Sequence, residues 1–282
     1  MTLRLRLALT AGAAGVCLAV AGCGSGTSPL SARANSHDTV LGAYNTTVKA
    51  KSAAISLRET VSARGHRETV TGRGVADMAG KDRDAEFTLS VAGLGTIQER
   101  VVGSNVYVEL PARAQAMLPG HKRWLSFNLN ALTKAKYGSS LSQLTGSSQS
   151  PTEGLGYLKS VSNQVTRVGP AQVGGVKTTE YRATVDLAKA TKDNRRAAAA
   201  IRRMEKELHR TTLPMRVWID HQGRIRQLVY DMSIHTAGQT VSLGTTIDLS
   251  RFGVPVHVTA PPASQTFNGT KMAESGGSGS RL

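Results

Sequence analysis

Apolar and polar residues alternate with period two along most of this chain, most clearly over residues 213–234. The apolar positions there are Met215, Val217 and Ile219 before a turn, and Leu228, Tyr230, Met232 and Ile234 after it. Residues 220–223, Asp-His-Gln-Gly, have the composition of a tight turn. We therefore predict a β-hairpin with one buried and one exposed face, as in an antiparallel sheet that is covered on one side.

The same alternation recurs on both sides of this hairpin and predicts one antiparallel sheet of roughly ten strands. Further strands are predicted near residues 55–61, 68–78, 84–91, 95–103, 105–110, 125–129, 165–168, 179–185, 240–249 and 254–258. Trp124 is expected to pack as an anchor beside one of them, and Pro261 and Pro262 to end the fold. Because only helices can cover the apolar side of this sheet, we expect them on its concave side.

Residues 68–78 differ from the other predicted strands because their inward positions are small. These positions are Val70, Gly72, Gly74, Ala76 and Met78. One interpretation is a bent or bulged strand, since glycine within a strand often marks such a distortion. The other is that the small side chains leave room for a ligand. The sequence leaves both open.

Two helices matter for the function. A short first helix is predicted from a cap at Ser36 or Asp38, with Val40, Leu41, Tyr44 and Val48 near helical spacing. Residues 188–210 predict a second, basic helix. Its apolar stripe is Ala197, Ile201, Met204 and Leu208, and its basic residues include Arg195, Arg196, Arg202 and Arg203. Those arginines form either a solvated face or a contact for anionic lipid headgroups.

The N-terminus has the pattern of a lipoprotein signal peptide. Arg4 and Arg6 precede an apolar run over residues 7–20, and Val-Ala-Gly-Cys follows at residues 20–23. This arrangement resembles the lipobox of bacterial lipoproteins, in which the cysteine sulfur receives a diacylglyceryl group. We predict a signal peptide over residues 1–22, lipidation at Cys23, and an anchor on the extracytoplasmic face of the cell membrane. The alternatives are an ordinary secretory signal that is cleaved nearby, and a core segment that contains a cysteine by chance.

The remaining domain boundaries follow from composition. Residues 23–37 are small, polar and prolyl and predict a flexible tether, and residues 269–282 predict a disordered tail. Between them, residues 38–268 are expected to form one domain. Cys17 leaves with the signal peptide, so Cys23 is the single cysteine of the mature chain and an intramolecular disulfide is excluded.

Composition and charge narrow the possible functions. The 282 residues are 40% hydrophobic but only 4% aromatic, which is typical of a soluble domain with a sizeable core. The formal charge of +16, or +14 without Arg4 and Arg6, favours anionic partners. Nucleic acid is not expected among them, because the chain is predicted to be exported and few aromatic residues interleave with the arginines.

The sequence contains no recognised catalytic or metal-binding motif. A nucleophile elbow, a His-Glu-x-x-His motif, a P-loop, a dinucleotide fingerprint and paired Cys/His spacing are all missing. Asp220 and His221 are interpreted as turn residues. We therefore do not expect an enzyme, a cofactor or a bound metal.

Several segments in order resemble the actinobacterial LppX/LprA/LprF/LprG lipoprotein family over about residues 38–267. They are GSNVYVELP, LPGHKRWLSFNL, GLGYLKSVSNQVTRVGPAQVGGVKTTEYRATVDL, LPMRVWIDHQGRIRQLVYDM and FGVPVHVTAPP. The resemblance implies an α+β, LolA-like fold, in which a strongly curved antiparallel half-barrel with helices on its concave side encloses an apolar cavity for acyl chains. No residue-level ligand motif is carried over with it.

If residues 68–78 make space rather than a bend, they predict an apolar pocket that opens toward residues 138–154. Its predicted lining is Leu57, Gly72, Ala76, Phe87, Leu89, Val217, Leu228 and Tyr230. The predicted function is a membrane-anchored, monomeric carrier or chaperone that binds a lipid or glycolipid without bond chemistry. The alternatives are an envelope sensor of the RseB group acting through a protein partner, and a structural lipoprotein with a filled core.

Overall fold

The computed structural model describes residues 29–79, 84–93, 95–116, 118–128, 131, 151–193, 202, 211–236 and 239–270. Over these residues the fold is mostly β. Its strands are β1 (Ser52–Ala63), β2 (His66–Asp77), β3 (Ala85–Val91), β4 (Gly95–Val102), β5 (Asn105–Glu109), β6 (Trp124–Asn128), β7 (Val161–Val173), β8 (Val176–Asp186), β9 (Thr212–Asp220), β10 (Ile225–Thr236), β11 (Gln239–Ser250) and β12 (Thr266–Asn268). Its helices are α1 (Pro29–Lys49), α2 (Ala112–Gln115), α3 (Pro151–Gly156) and α4 (Leu187–Asp193), with 3₁₀ turns at Pro119–His121, Tyr157–Ser160 and Ala263–Gln265.

All twelve strands belong to one open sheet in the order β12-β6-β5-β4-β3-β2-β1-β11-β10-β9-β8-β7. Neighbouring strands are antiparallel, except that β12 runs parallel to β6. We call the side covered by the helices the inner face and the opposite side the outer face. The predicted fold class is confirmed: the fold is mostly β with few helices, its sheet is not closed into a barrel, and α1 and α3 pack on the inner face.

The hairpin at residues 213–234 is confirmed as β9 and β10, which pair in antiparallel fashion. On β9 the inner positions Leu213, Met215, Val217 and Ile219 are all buried. The pairing contains one irregularity between Ile225 and Gln227, where Arg226 is the extra residue. At this bulge the Thr47 hydroxyl of α1 accepts a hydrogen bond from the backbone N–H of Ile225 (2.8 Å), which links the first helix to the hairpin.

The first helix begins earlier than predicted. It starts at Pro29 rather than at residues 36–38, so residues 29–37 are helical and not part of a tether. A proline fits this position because the first turn of a helix needs no backbone donor there. The buried side of α1 also differs from the predicted one. It consists of Ser36, Val40, Ala43 and Thr47, whereas Leu41, Tyr44 and Val48 are only partly buried.

The C-terminal end of the fold corrects a second prediction. Residues 254–258 do not form a strand; residues 254–262 run outside the sheet, and β12 follows beyond Pro262. Val254 is nevertheless fixed, because its carbonyl accepts a hydrogen bond from the Ser52 hydroxyl (2.5 Å). Thr270 lies beyond the predicted domain end but is buried, and its hydroxyl accepts a hydrogen bond from the N–H of Asn128.

The predicted basic helix is only partly tested. Of the predicted basic helix over 188–210, the structure describes α4 and Arg202. Trp124 is buried as predicted, and the Arg100 guanidinium lies 5.0 Å from its ring centre. Among the helices that the structure describes, none combines the length and the apolar character needed to cross a membrane.

Candidate functional site

The inner face carries a continuous apolar row across six strands. Strand registers place Val217, Leu228, Ile247, Leu57, Gly72 and Leu89 side by side, from β9 through to β3. Five of the eight predicted lining residues belong to this row. The other three, Ala76, Phe87 and Tyr230, lie on the same face in neighbouring rows and are also buried. The structure thus brings the eight predicted residues onto one covered surface.

Strand β2 contains no bulge, because all of its residues are described and pair with β1 and β3 in continuous registers. Its glycines instead admit large neighbours. A Cβ atom at Gly72 would lie 2.7 Å from Cδ2 of Leu89, whereas one at Gly74 would meet the backbone carbonyl of Glu86 first and then Cδ1 of Phe87 at 2.5 Å. Strand β3 therefore occupies this space, with the Leu89 side chain at Gly72 and with its backbone and the Phe87 side chain at Gly74. The bulge is therefore contradicted, whereas a bend of this strand and room for a ligand beside β2 both remain predictions.

One end of the inner face is lined by alanine alone over three strands. Ala53, Ala76 and Ala85 are paired neighbours on β1, β2 and β3, and each is at most 1% exposed. Val101 of β4 continues this row. Alanine rows leave a shallow layer of side chains on the sheet, so this is the part of the inner face where added bulk changes the surface most.

Helix α3 packs directly on the inner face. A Cβ atom at Gly154 would lie 3.1 Å from Cδ1 of Ile247 and 3.4 Å from the hydroxyl oxygen of Tyr230. The segment predicted to flank the pocket opening, residues 138–154, is therefore helical and packed at its described end. Residues 138–150 lie outside the described part of the chain.

A polar row that the sequence analysis missed lies next to the apolar one. Glu59 of β1, Thr245 of β11 and Tyr230 of β10 are paired neighbours on the inner face and are 7%, 2% and 5% exposed. In the sequence Glu59 and Thr245 each interrupt an apolar alternation, as Glu59 does between Leu57 and Val61, whereas Tyr230 counts among the apolar positions. Such an interruption is the signal that could have identified this row.

A second acid points to the same side of the sheet. Glu99 of β4 is paired with Phe87, so both lie on the inner face. Burial, and to a smaller extent the charge of Glu59, together raise the pKa of Glu99 to about 7. Since β2 and β3 separate the strands that carry these acids, their interaction fits a sheet that curves around the inner face.

The outer face is polar and bears two grooves. One, of about 640 Å³, is lined by residues that include Arg73, Glu86 and Arg251, and the other, of about 330 Å³, by residues that include Arg58 and Asp231. Charged walls of this kind suit water or ionic groups better than acyl chains.

Asp220 has the structural role predicted for it. Its carboxylate accepts hydrogen bonds from the N–H groups of Gln222 and Arg224 and from the side chains of Arg224 and Arg226. Burial alone would raise the pKa of Asp220, but these hydrogen bonds and the Arg224 charge outweigh it and lower the pKa. A carboxylate held in this way stabilises the turn and is poorly suited to act as a base.

Of the other predicted site residues, the structure describes only one. Arg202 is exposed and helical, whereas Arg195, Arg196, Arg203 and Cys23 lie outside the described residues. Within the described ranges, no three His, Cys, Asp or Glu side chains are grouped so as to hold a metal ion.

No protein-family model matches the chain. An uncharacterised 31.2 kDa protein of Streptomyces griseus is 28% identical over 192 residues, which cover 66% of this chain and 60% of that protein. The chain thus spans about three fifths of the length of this curated relative.

Similar solved structures include two lipoproteins that the sequence resemblance also named. They are LppX of Mycobacterium tuberculosis (16% identity, TM-score 0.44, covering 78% of this chain and 98% of that one) and LprF of Mycobacterium bovis (13%, 0.46, 82% and 98%). A LolA-superfamily protein of Nitrosomonas europaea is also similar, with 8% identity, a TM-score of 0.28 and coverage of 78% and 94%.

Proposed function

We propose that this protein is an envelope lipoprotein that binds the acyl chains of a lipid or glycolipid on its inner face, as a carrier or chaperone without bond chemistry. The observation that supports this proposal is the apolar row across six strands, because α3 packs on it at Ile247 and all the strands that the structure describes belong to one sheet. Helix α3 can move away from Tyr230 and Ile247 without breaking any strand pairing. Its displacement would expose an apolar surface to an entering chain.

The energetics suit reversible binding. Burying one CH₂ group contributes about 0.8 kcal/mol, so a chain of about sixteen carbons gains roughly 12 kcal/mol before costs. Ordering the chain and displacing the helix that covers the surface oppose this gain. The remainder allows a lipid to be held firmly and still be released, which is what a carrier requires.

We further propose that Cys23 carries the lipid anchor and that the domain lies on the extracytoplasmic face of the cell membrane. The motif at residues 20–23 and the apolar run before it support this assignment. Two acyl chains give a firm anchor, because each buried CH₂ adds to the binding energy. Arg195, Arg196, Arg202 and Arg203 are proposed to contact anionic headgroups, at about 1 kcal/mol for each residue near the surface.

Organic extraction of the purified protein followed by mass spectrometry tests the proposal directly. A carrier should release a lipid with at least one acyl chain in a fixed ratio to protein. A protein prepared from its own membrane that releases no lipid would instead favour a structural lipoprotein with a filled core.

A bulky substitution tests where the lipid lies. Ala76→Trp adds an indole to the inner face at the alanine row and should reduce lipid transfer between vesicles at least tenfold. Val75→Trp is the matched control. Val75 is the next residue along the strand, and its own side chain lines the 640 Å³ groove of the outer face. Thermal melts are recorded for both, since overpacking a full core costs about 1–3 kcal/mol. Lost transfer only in Val75→Trp would place the lipid on the outer face and refute the proposed site.

A further inference from the structure

On the inner face, Glu59, Thr245 and Tyr230 form a polar row that lies between two apolar rows. We propose that this row binds an uncharged, hydroxyl-bearing headgroup of the lipid and discriminates against a phosphate at the same position. The inference rests on the proposed function, because it assumes that acyl chains occupy the inner face. It adds the chemical class of the group to which those chains are attached.

The geometry of the sheet brings the three side chains together. Thr245 is the paired neighbour of Glu59 on one side and of Tyr230 on the other, and paired side chains on one face lie about 4.5–5.5 Å apart at Cβ. The rows before and after this one are apolar. They consist of Leu228, Ile247 and Leu57 on one side, and Met232, Leu243 and Val61 on the other. A headgroup at the polar row could therefore direct its chains along apolar surface in either direction.

The Thr245 hydroxyl points to a ligand because no residue that the structure describes forms a hydrogen bond with it. Thr245 is 2% exposed, and its oxygen has no hydrogen-bond partner among the described residues. A buried hydroxyl without a partner costs free energy, and valine has the same shape without that cost. Packing alone therefore does not explain a threonine at this position. A bound hydroxyl or ester oxygen would supply the partner.

The charge of the row selects the class of ligand. Glu59 is 7% exposed, and Glu99 lies close enough to interact with it electrostatically. A hydroxyl group can donate a hydrogen bond to a carboxylate and accept one from threonine. A phosphate can only accept, and it would be repelled by acids that are poorly screened by water. The row is therefore suited to a neutral glycerol or sugar hydroxyl.

Two lipids with identical chains test this inference. Full-length protein is equilibrated with phosphatidylcholine vesicles that contain either dioleoylglycerol or dioleoyl phosphatidic acid, and the lipid retained by the protein is extracted and quantified. The two lipids differ only in a hydroxyl or a phosphate at the same carbon. Wild-type protein should retain dioleoylglycerol at least tenfold more strongly at pH 8.

Three variants separate the proposed contact from a structural role. Thr245→Val should melt no lower than wild type, yet bind dioleoylglycerol five- to tenfold more weakly. Thr178→Val is the matched control, since its buried hydroxyl also has no partner among the described residues but lies on the outer face beside Asp220. It should keep the wild-type preference. Glu59→Gln should retain phosphatidic acid more strongly than wild type, because the repelling charge is removed.

Each outcome bears on a different claim. Equal retention of both lipids by wild type, or an unchanged preference in Thr245→Val, would overturn the polar-row inference and leave the lipid-binding function standing. Retention of neither lipid by a folded wild-type protein would instead contradict the proposed function.

Discussion

Replacing Glu99 by glutamine should remove a pH dependence of stability that this one side chain creates. The pKa of Glu99 is raised from 4.5 to about 7 in the folded protein, first by burial and then by the charge of Glu59. Between these values the folded protein holds a proton that the unfolded chain has lost. The stabilising effect of that proton is fully present below about pH 4.5 and is lost as the pH rises to 7.

The size of the effect follows from the shift. One pKa unit corresponds to about 1.36 kcal/mol, so the rise from 4.5 to about 7 corresponds to an upper value of about 3 kcal/mol. Glu99 retains partial contact with solvent, which screens its charge and reduces the expected effect to about 2 kcal/mol. Glutamine has a similar shape and is uncharged at every pH. Glu99→Gln should therefore differ least from wild type at pH 5 and exceed its stability by about 2 kcal/mol at pH 8.

Urea denaturation of both proteins at pH 5, 6, 7 and 8 measures this difference. Comparing variant with wild type at each pH cancels the titration of all other groups. Glu59→Gln serves as a partial control, because it removes only the second cause and should reduce the pH dependence without abolishing it. A difference between Glu99→Gln and wild type that stays constant from pH 5 to 8 would refute the reasoning.

Two further predictions concern the turn and the anchor. Asp220→Ala should lower the free energy of unfolding, measured in urea, by about 3–5 kcal/mol, because the half-buried charges of Arg224 and Arg226 lose their partner. A loss below about 1 kcal/mol would show that the turn does not depend on this carboxylate. Cys23→Ala should appear in cell fractionation as an unprocessed precursor or as protein released from the membrane, and a processed, membrane-bound form would contradict lipidation at Cys23.

The order of helices and strands was largely readable from the sequence, because alternation with period two reports which face of a strand is buried. The hairpin of β9 and β10, the buried Trp124 and the inner positions on β1, β3 and β9 were found in this way. The same signal failed at residues 254–258. These residues alternate between half-buried and exposed, but they pack on the protein without pairing to a strand. Alternation of apolar and polar residues indicates that one side of an extended segment is buried. It does not indicate that the segment is hydrogen-bonded to a neighbouring strand.

Only the tertiary structure determined which strands pair, in which register, and which atoms fill the space beside the glycines of β2. Gly72 gave two interpretations in the sequence, and only the position of Leu89 showed which side chain uses the space above it. The polar row is a stronger case. Glu59 lies far from Tyr230 and Thr245 in the chain. Glu59 and Thr245 are each an isolated interruption of an apolar pattern, and Tyr230 counts as an apolar position of its own strand. The pairing of β1 with β11 and of β11 with β10 places them together, because a strand's pattern determines its buried face but leaves its partner and register to the whole sheet.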